Sequence, residues 1–413
     1  MRQISDIALK LASLSVYKEI LHQPVVKALY RLLWATNTTP QEVALAWGEL
    51  IQALADKRQI KQAAHAILQV VLYDQNIFSQ LAAADEVEYD LKQVAQRDLT
   101  VLMEAARITP QDILNGCKFA EELKNLKLPQ WETGEPESIL KGTPSQVLSQ
   151  LMEFYKEHGC GIFAQYNAFI WRKQTIMPVE FPDQIQISDL KGYEEQRRLI
   201  LDNTEAFLCG LPANNCLLYG DRGTGKSSTI KAILNQYHTR GLRMIEMPKE
   251  FLKDFPDLVA KIACLPMKFI ILIDDLSFTE QDNTYASLKS VLEGGIAAKP
   301  DNALIYATSN RRHLVREAFS DRDGDEVHRS DTIQESLSLA DRFGLCVNFS
   351  IPDKQKYLDM IIEIAEQRGM QEHLDQLLCG AEQWAIIRGG RSPRCAQQYM
   401  NFAEAAIKSG RNI

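Results

Sequence analysis

The run GDRGTGKS from Gly220 to Ser227 has the residue types and spacing of a backbone wrapped around an anion. Gly220, Gly223 and Gly225 let the chain curl until successive N–H groups point inward at phosphate oxygens. An apolar run at 216–219 precedes the loop and a helix-forming run at 228–234 follows it. The positive end of that helix adds to the anion site. In this arrangement Lys226 reaches the β- and γ-phosphates of a nucleoside triphosphate, and the Ser227 hydroxyl ligates the Mg²⁺ they carry. Asp221, Arg222, Thr224 and Ser228 complete the candidate nucleotide-binding set. A Gly-rich surface turn is the competing account, and the flanking strand and helix weigh against it.

Further along, the apolar run 269–273 ends in Asp274-Asp275. A strand of that kind places Asp274 beside the loop, where it would hold Mg²⁺ through its water shell. Asp275 falls where an acid would orient the attacking water. Aspartate is one methylene shorter than glutamate, so its reach falls by about 1.5 Å, which points to slow hydrolysis or to an additional water. Paired acids at a strand end are also common surface features. The run 304–310 ends in Asn310. If its strand lies between the loop strand and the Asp274 strand, Asn310 meets the γ-phosphate; alone, such an Asn is a turn former.

Two arginines extend the set. Arg342 stands just before a strand, where it could reach a neighbouring subunit's γ-phosphate as an arginine finger; Arg322, in the charged loop 320–329, is the second choice. A salt bridge to Asp341 or Glu335 is the competing role for Arg342. Arg394 opens the last helix and could fold over the phosphates, with Arg391 as the alternative and simple surface charge as the competitor.

These residues need a scaffold. From residue 187 strands and helices alternate, the pattern of an α/β fold with a parallel sheet. Strands are expected at 216–219, 243–246, 269–273, 303–308 and 345–349, and helices at 355–368, 373–387 and 392–408. The first 125 residues read as all-helical. Thr39-Pro40-Gln41-Glu42 and Thr109-Pro110-Gln111-Asp112 carry the same start signal: a Thr cap, Pro in first position and an acid in third. Val43, Ala46, Trp47, Leu50 and Leu54 then recur at helical spacing, as do apolar residues in 25–34 and 63–72. Three prolines and two glycines make 126–145 a linker, followed by a helix at 146–158 and an aromatic strand or hairpin at 159–171. The aromatic residues could stack on a base; packing against the core is the favoured role. The expected division is a helical N-terminal domain at 1–125, a linker region at 126–186, the nucleotide-binding core at 187–350 and a helical lid at 351–413.

Composition sets the remaining bounds. The 413 residues are 46% hydrophobic and 24% charged, ordinary for a soluble globular protein of two or three domains. No apolar run has the length of a membrane span and the start lacks a signal-peptide pattern, so a cytoplasmic location without membrane contact is expected. The eight cysteines form no metal-ligand spacing and are expected as reduced core residues. A formal net charge of −8, shared by both halves, excludes a general nucleic-acid binder. The basic run Arg311-Arg312-His313 reads as solvated loop charge.

The loop, the Asp-Asp strand, the Ser-Asn strand, the Asp-Arg-Phe-Gly run and the terminal helices together resemble the AAA+ ATPases. The Asp-Asp variant is also similar to bacterial helicase loaders and transposon ATP-binding subunits. More closely, residues 145–410 resemble a bacterial family of ATP-binding proteins catalogued as domain of unknown function 815. The resemblance rests on the stretches LYGDRGTGKSS at 218–228, DDLSF at 274–278, LEGG at 292–295, YATSNRRHL at 306–314 and SLADRFGL at 338–345. It implies a five-stranded parallel sheet in the order 5-1-4-3-2 with helices on both faces, a helical lid, and a homo-oligomeric ring. It also implies ATP and Mg²⁺ as cofactors and an adenine pocket lined by Leu190 and Gly192 within 187–192. The expected activity is hydrolysis of ATP to ADP and phosphate, coupled to remodelling of a macromolecular partner, a protein ahead of a nucleic acid. The alternatives are a slow-hydrolysing ATP-controlled switch or helicase-loader-like adaptor, and a helical interaction module with a structural nucleotide.

Overall fold

A computed structural model describes residues 4–276, 278–279, 292, 300–310, 315–316 and 342–411. The chain divides into two compact units, Met1–Gln165 and Tyr166–Ile413, where the sequence suggested four segments. The first unit is helical among its described residues. Its principal helices are Pro24–Ala35, Pro40–Asp56, Ala63–Leu72, Tyr89–Ala106 and Pro144–His158. Both expected start signals form: the Thr39 hydroxyl accepts the Glu42 N–H, and Thr109 and Asp112 close a reciprocal capping box. Each such cap stabilises a helix by about 1 kcal/mol. A related signal, with Gln in place of the acid, stands at Thr143-Pro144-Ser145-Gln146, so that helix begins at Pro144 rather than at the expected 146.

The expected linker at 126–145 packs into this unit instead. Trp131 and Leu140 are buried in the same core as Leu32, Trp47 and Leu102. The Trp131 ring centroid lies 5.0 Å from that of Trp47, and its indole N–H donates to the Ile108 carbonyl at 3.1 Å. Proline and glycine gave the segment its linker composition, but two large apolar side chains decide its placement. Trp131→Ala is expected to destabilise the helical unit by about 3–5 kcal/mol, read as a lower denaturant midpoint; a linker tryptophan would leave the midpoint unmoved.

The second unit is built on a seven-stranded sheet. Its strands are β1 (Ala168–Arg172), β2 (Thr175–Pro178), β3 (Cys216–Gly220), β4 (Leu242–Glu246), β5 (Lys268–Ile273), β7 (Ala303–Ser309) and β9 (Leu345–Phe349). A separate parallel pair joins β6 (Phe278–Thr279) and β8 (Val315–Arg316). The order in the large sheet is β2-β1-β4-β5-β7-β3-β9. This corrects the expected five-stranded, all-parallel sheet. The order 5-1-4-3-2 describes only the inner run from β9 to β4, and β1 extends it by pairing parallel to β4, with β2 antiparallel at the edge. Of the expected aromatic strand or hairpin at 159–171, only the part from Ala168 is strand, with Phe169 and Trp171 in this added hairpin; Phe163 lies on the short helix Ile162–Gln165 of the first unit. Trp171 is fully buried, donates to Asp254 at 3.2 Å, and has the Lys261 ammonium 5.2 Å from its ring centre. Two left-handed residues, Lys173 and Gln174, make the tight turn between β1 and β2.

Burial explains the apolar runs: β5 from Phe269 to Ile273 and all of β7 are buried, as strands covered on both faces must be. Helices Lys354–Gln367, Leu374–Arg388 and Pro393–Lys408 follow β9 and share a core of their own around Tyr357, Leu377 and Tyr399. All eight cysteines are free. Cys209, Cys264, Cys346 and Cys379 are exposed, so a core role holds only for the other four. Among the described residues no helix is long and apolar enough to cross a membrane.

Candidate functional site

The parallel strands bring their carboxyl ends to one edge of the sheet, where open α/β sheets bind ligands. Tyr219 of β3 lies beside Ser309 of β7, and Ile273 of β5 beside Ala307. The loop after β3, Asp274-Asp275 after β5 and Asn310 after β7 therefore converge because three buried strands end at one level.

Gly220, Gly223 and Gly225 take φ values of +127°, +77° and +92°, where a side chain would be strained. A Cβ on Gly220 would lie 2.3 Å from the Phe349 carbonyl oxygen, whereas one on Gly225 would meet nothing within 4 Å. The loop is thus pressed against β9 on one side and open on the other. Lys226 begins the helix Lys226–Tyr237 and is 7% exposed. Its ammonium donates to the carbonyls of Gly220 (3.0 Å) and Asp221 (2.6 Å) and to Asn310 Oδ1 (3.2 Å). Burial lowers its pKa, and the nearby Asp221, Asp275 and Asp274 oppose that shift.

Ser227 Oγ donates to Asp274 Oδ1 at 2.6 Å, which sets two hard oxygen donors side by side. Asn310 Nδ2 donates to Asp275 Oδ1 at 2.6 Å, so the second acid is held against the same Asn that Lys226 touches. Asp275 has φ +51°, a left-handed conformation that costs a non-glycine residue about 1–2 kcal/mol. The end of β7 holds that turn in place. Thr308 Oγ1 donates to Asp274 Oδ1 and accepts the Asp275 N–H at 3.0 Å, the Thr308 carbonyl accepts the Leu276 N–H at 2.7 Å, and Ser309 Oγ donates to the Leu276 carbonyl at 2.8 Å.

Thr308 was not singled out from sequence; the only available signal was a buried β-branched hydroxyl two residues before Asn310. Thr308→Val keeps the shape, strands the Asp275 N–H and is expected to lower stability by about 1–3 kcal/mol in denaturant melts. Thr308→Ser should recover most of that loss.

A cavity of ≈ 500 Å³ adjoins the loop, within the range of small-molecule sites. Gly223, Thr224, Gly225 and Ser228 form one end, and Ile185, Leu190, Met360 and Ile364 supply apolar wall. Gly192 is not in that wall; it packs behind it, where a Cβ would lie 2.2 Å from the Met360 methyl. Thr224 is buried and donates to the Asp221 carbonyl at 2.8 Å, while Arg222 is exposed. Arg394 lines the cavity, and its main-chain N–H donates to the Gly223 carbonyl at 3.1 Å. Arg391 is paired with Glu382 at 2.7 Å, an acid pushed down to about 2 by Arg391 and Lys354. Of the two candidates at the last helix, Arg394 is therefore the one brought to the loop.

Arg342 is not brought into this site. It precedes β9, whose first residue, Leu345, pairs with Cys216 at the start of β3. The loop lies past the other end, about 13 Å further along at the usual strand rise. Arg311, Arg312, His313, Arg322, Glu335 and Asp341 lie outside the described residues.

A loop wrapped at the end of β3, an acid pair after β5, a polar amide after β7 and a helical segment over the loop define the class: a P-loop nucleotide-binding core of the AAA+ type. The family model described as protein of unknown function (DUF815) matches residues 164–407. The chain belongs to this family. It is 23% identical over 209 residues to a proteasome-activating nucleotidase of Methanococcus maripaludis, a match covering 45% of this chain and 47% of that protein. The chain thus spans about half the length of that curated relative. Among solved structures it is similar to the RuvB Holliday junction branch migration motor of Thermotoga maritima (13% identity, TM-score 0.38, 55% of this chain and 67% of that one). It is also similar to the ORC1 protein of Aeropyrum pernix in complex with DNA (15% identity, TM-score 0.36, 53% and 61%).

Proposed function

We propose that the protein binds ATP with Mg²⁺ at the loop and hydrolyses it, coupling turnover to the rearrangement of a macromolecular partner. The observation that carries this is the continuous set Ser227–Asp274–Thr308 and Lys226–Asn310–Asp275, beside a cavity of nucleotide size. The residues fit the group: the open side of Gly225 leaves room for phosphate, and the paired oxygens of Ser227 and Asp274 suit Mg²⁺. Bound Mg²⁺ would neutralise charge on the β- and γ-oxygens. Loop N–H groups and Lys226 would bind the phosphates, Asp275 would orient a water and accept its proton, and Asn310 would hold that acid in line. Arg394 would approach the phosphates from the C-terminal helices, which act as the lid, with Leu190 and Met360 against the base. Arg342, at the far edge of the sheet, would act on the site of a second copy in a ring. The test is phosphate release by the native chain set against Lys226→Ala.

A second reading, an ATP-controlled switch with slow turnover, is favoured by one observation. Asp275 is one methylene shorter than a glutamate and Asn310 holds its Oδ1, so its carboxylate reaches the attacking position only through a further water.

A further inference from the structure

Asp221 is the second residue of the phosphate loop, yet its carboxylate is given to the connection leading into the C-terminal helices. Its Oδ2 accepts the Ile351 N–H at 2.8 Å, and its own N–H donates to the Phe349 carbonyl at 3.0 Å. These two bonds fasten the loop to the point where β9 ends. Tyr193 holds the same stretch: its hydroxyl donates to the Ser350 carbonyl at 2.6 Å and its ring centroid lies 5.2 Å from that of Phe349. Just beyond, Asp353 caps the helix Lys354–Gln367 by accepting the Lys356 N–H at 2.8 Å.

The other end of Asp221 faces Lys226. An ammonium has three N–H donors, and those of Lys226 are directed at Gly220 O, Asp221 O and Asn310 Oδ1. A phosphate can gain the lysine only by displacing one of these acceptors. The Asp221 carbonyl accepts the shortest of the three bonds and keeps Thr224 as a second donor, so it can lose the lysine without being left unpaired. Its side chain then carries the adjustment to Ile351, one peptide from Pro352 and two from the capping Asp353.

We infer that Asp221 is a positioning residue that couples the phosphate contact of Lys226 to the placement of the lid. The inference rests on the proposal that Lys226 meets a phosphate. A loop aspartate serving only to hold the backbone would give the connection the same stability in every nucleotide state.

Amide hydrogen exchange of the segment 349–353, in the full chain at saturating Mg²⁺ with ADP or with a non-hydrolysable ATP analogue, separates the two. The native chain should exchange there at rates differing at least about threefold between the two nucleotides. Asp221→Ala should abolish that difference and lower kcat about tenfold, and Asp221→Asn, whose amide oxygen still accepts, should restore both. Should Asp221→Ala not fold, Ile351→Pro removes the donor of the same bond and must give the same loss. Retention of the native difference in Asp221→Ala, or its full loss in Asp221→Asn, overturns the coupling. A native chain that binds both nucleotides with no difference at 349–353 overturns it too. A native chain that binds neither refutes the proposed function instead.

Discussion

Asp275→Asn is expected to leave ATP binding within about threefold of native while lowering phosphate release by about 10²–10⁴-fold, the usual contribution of a positioned general base. Asparagine matches aspartate in size, so the left-handed turn at φ +51° and its bond to the Thr308 hydroxyl survive the change. Only the proton acceptor is lost. The Asn310 amide donates to Asp275 Oδ1; asparagine keeps an acceptor oxygen at that place, so the bond persists. The variant should therefore accumulate with ATP bound and hold whatever partner the ATP state selects. Filter-retained nucleotide and steady-state phosphate release, measured on one preparation, read both halves of the expectation. Equal loss of binding and turnover would make Asp275 a structural acid. Unchanged turnover would remove it from the chemistry and pass the role of base to another group.

Lys226→Ala should have the larger effect on binding. The lysine is buried at the loop's centre and its three bonds join the loop to Asn310. Its removal takes that ammonium from the loop and leaves the Gly220 carbonyl without that donor. Loss of a charge-assisted contact to phosphate costs about 2–4 kcal/mol, or 30- to 1,000-fold, in the step it serves. Nucleotide affinity should fall by at least about thirtyfold and phosphate release to background. Retention of native affinity would mean that the loop N–H groups alone hold the ligand.

The parts legible in the sequence were those dictated locally. Glycine at 220, 223 and 225 answers a backbone demand that other residues meet only under strain. The run 269–273 declares its double burial by having no polar residue, and 303–307 by having only the tyrosine hydroxyl. Long-range choices were less visible. The pairing of β1 with β4 turns on an edge left open by the five parallel strands, and no residue of 168–172 announces its neighbour. Trp131 looked like one aromatic in a proline-rich stretch until Trp47 and Ile108 gave it a pocket and an acceptor. Arg391 and Arg394 are equivalent in spacing; Glu382, nine residues before Arg391, separates them by ion pairing. Asp221 stood in the candidate loop set, but its bond to Ile351, like the role of Thr308, was hidden for one shared reason. Each acts through a main-chain N–H on a distant segment, and main-chain partners leave no trace in residue type.

The central claim is that this loop holds ATP for hydrolysis, and steady-state phosphate release tests it most directly. The native chain with Mg²⁺ and ATP, assayed over a wide range of protein concentration, should release phosphate above the level of Lys226→Ala. The specific rate should rise with concentration if Arg342 serves a second copy's site. Native release no greater than that of Lys226→Ala at every concentration would contradict the account.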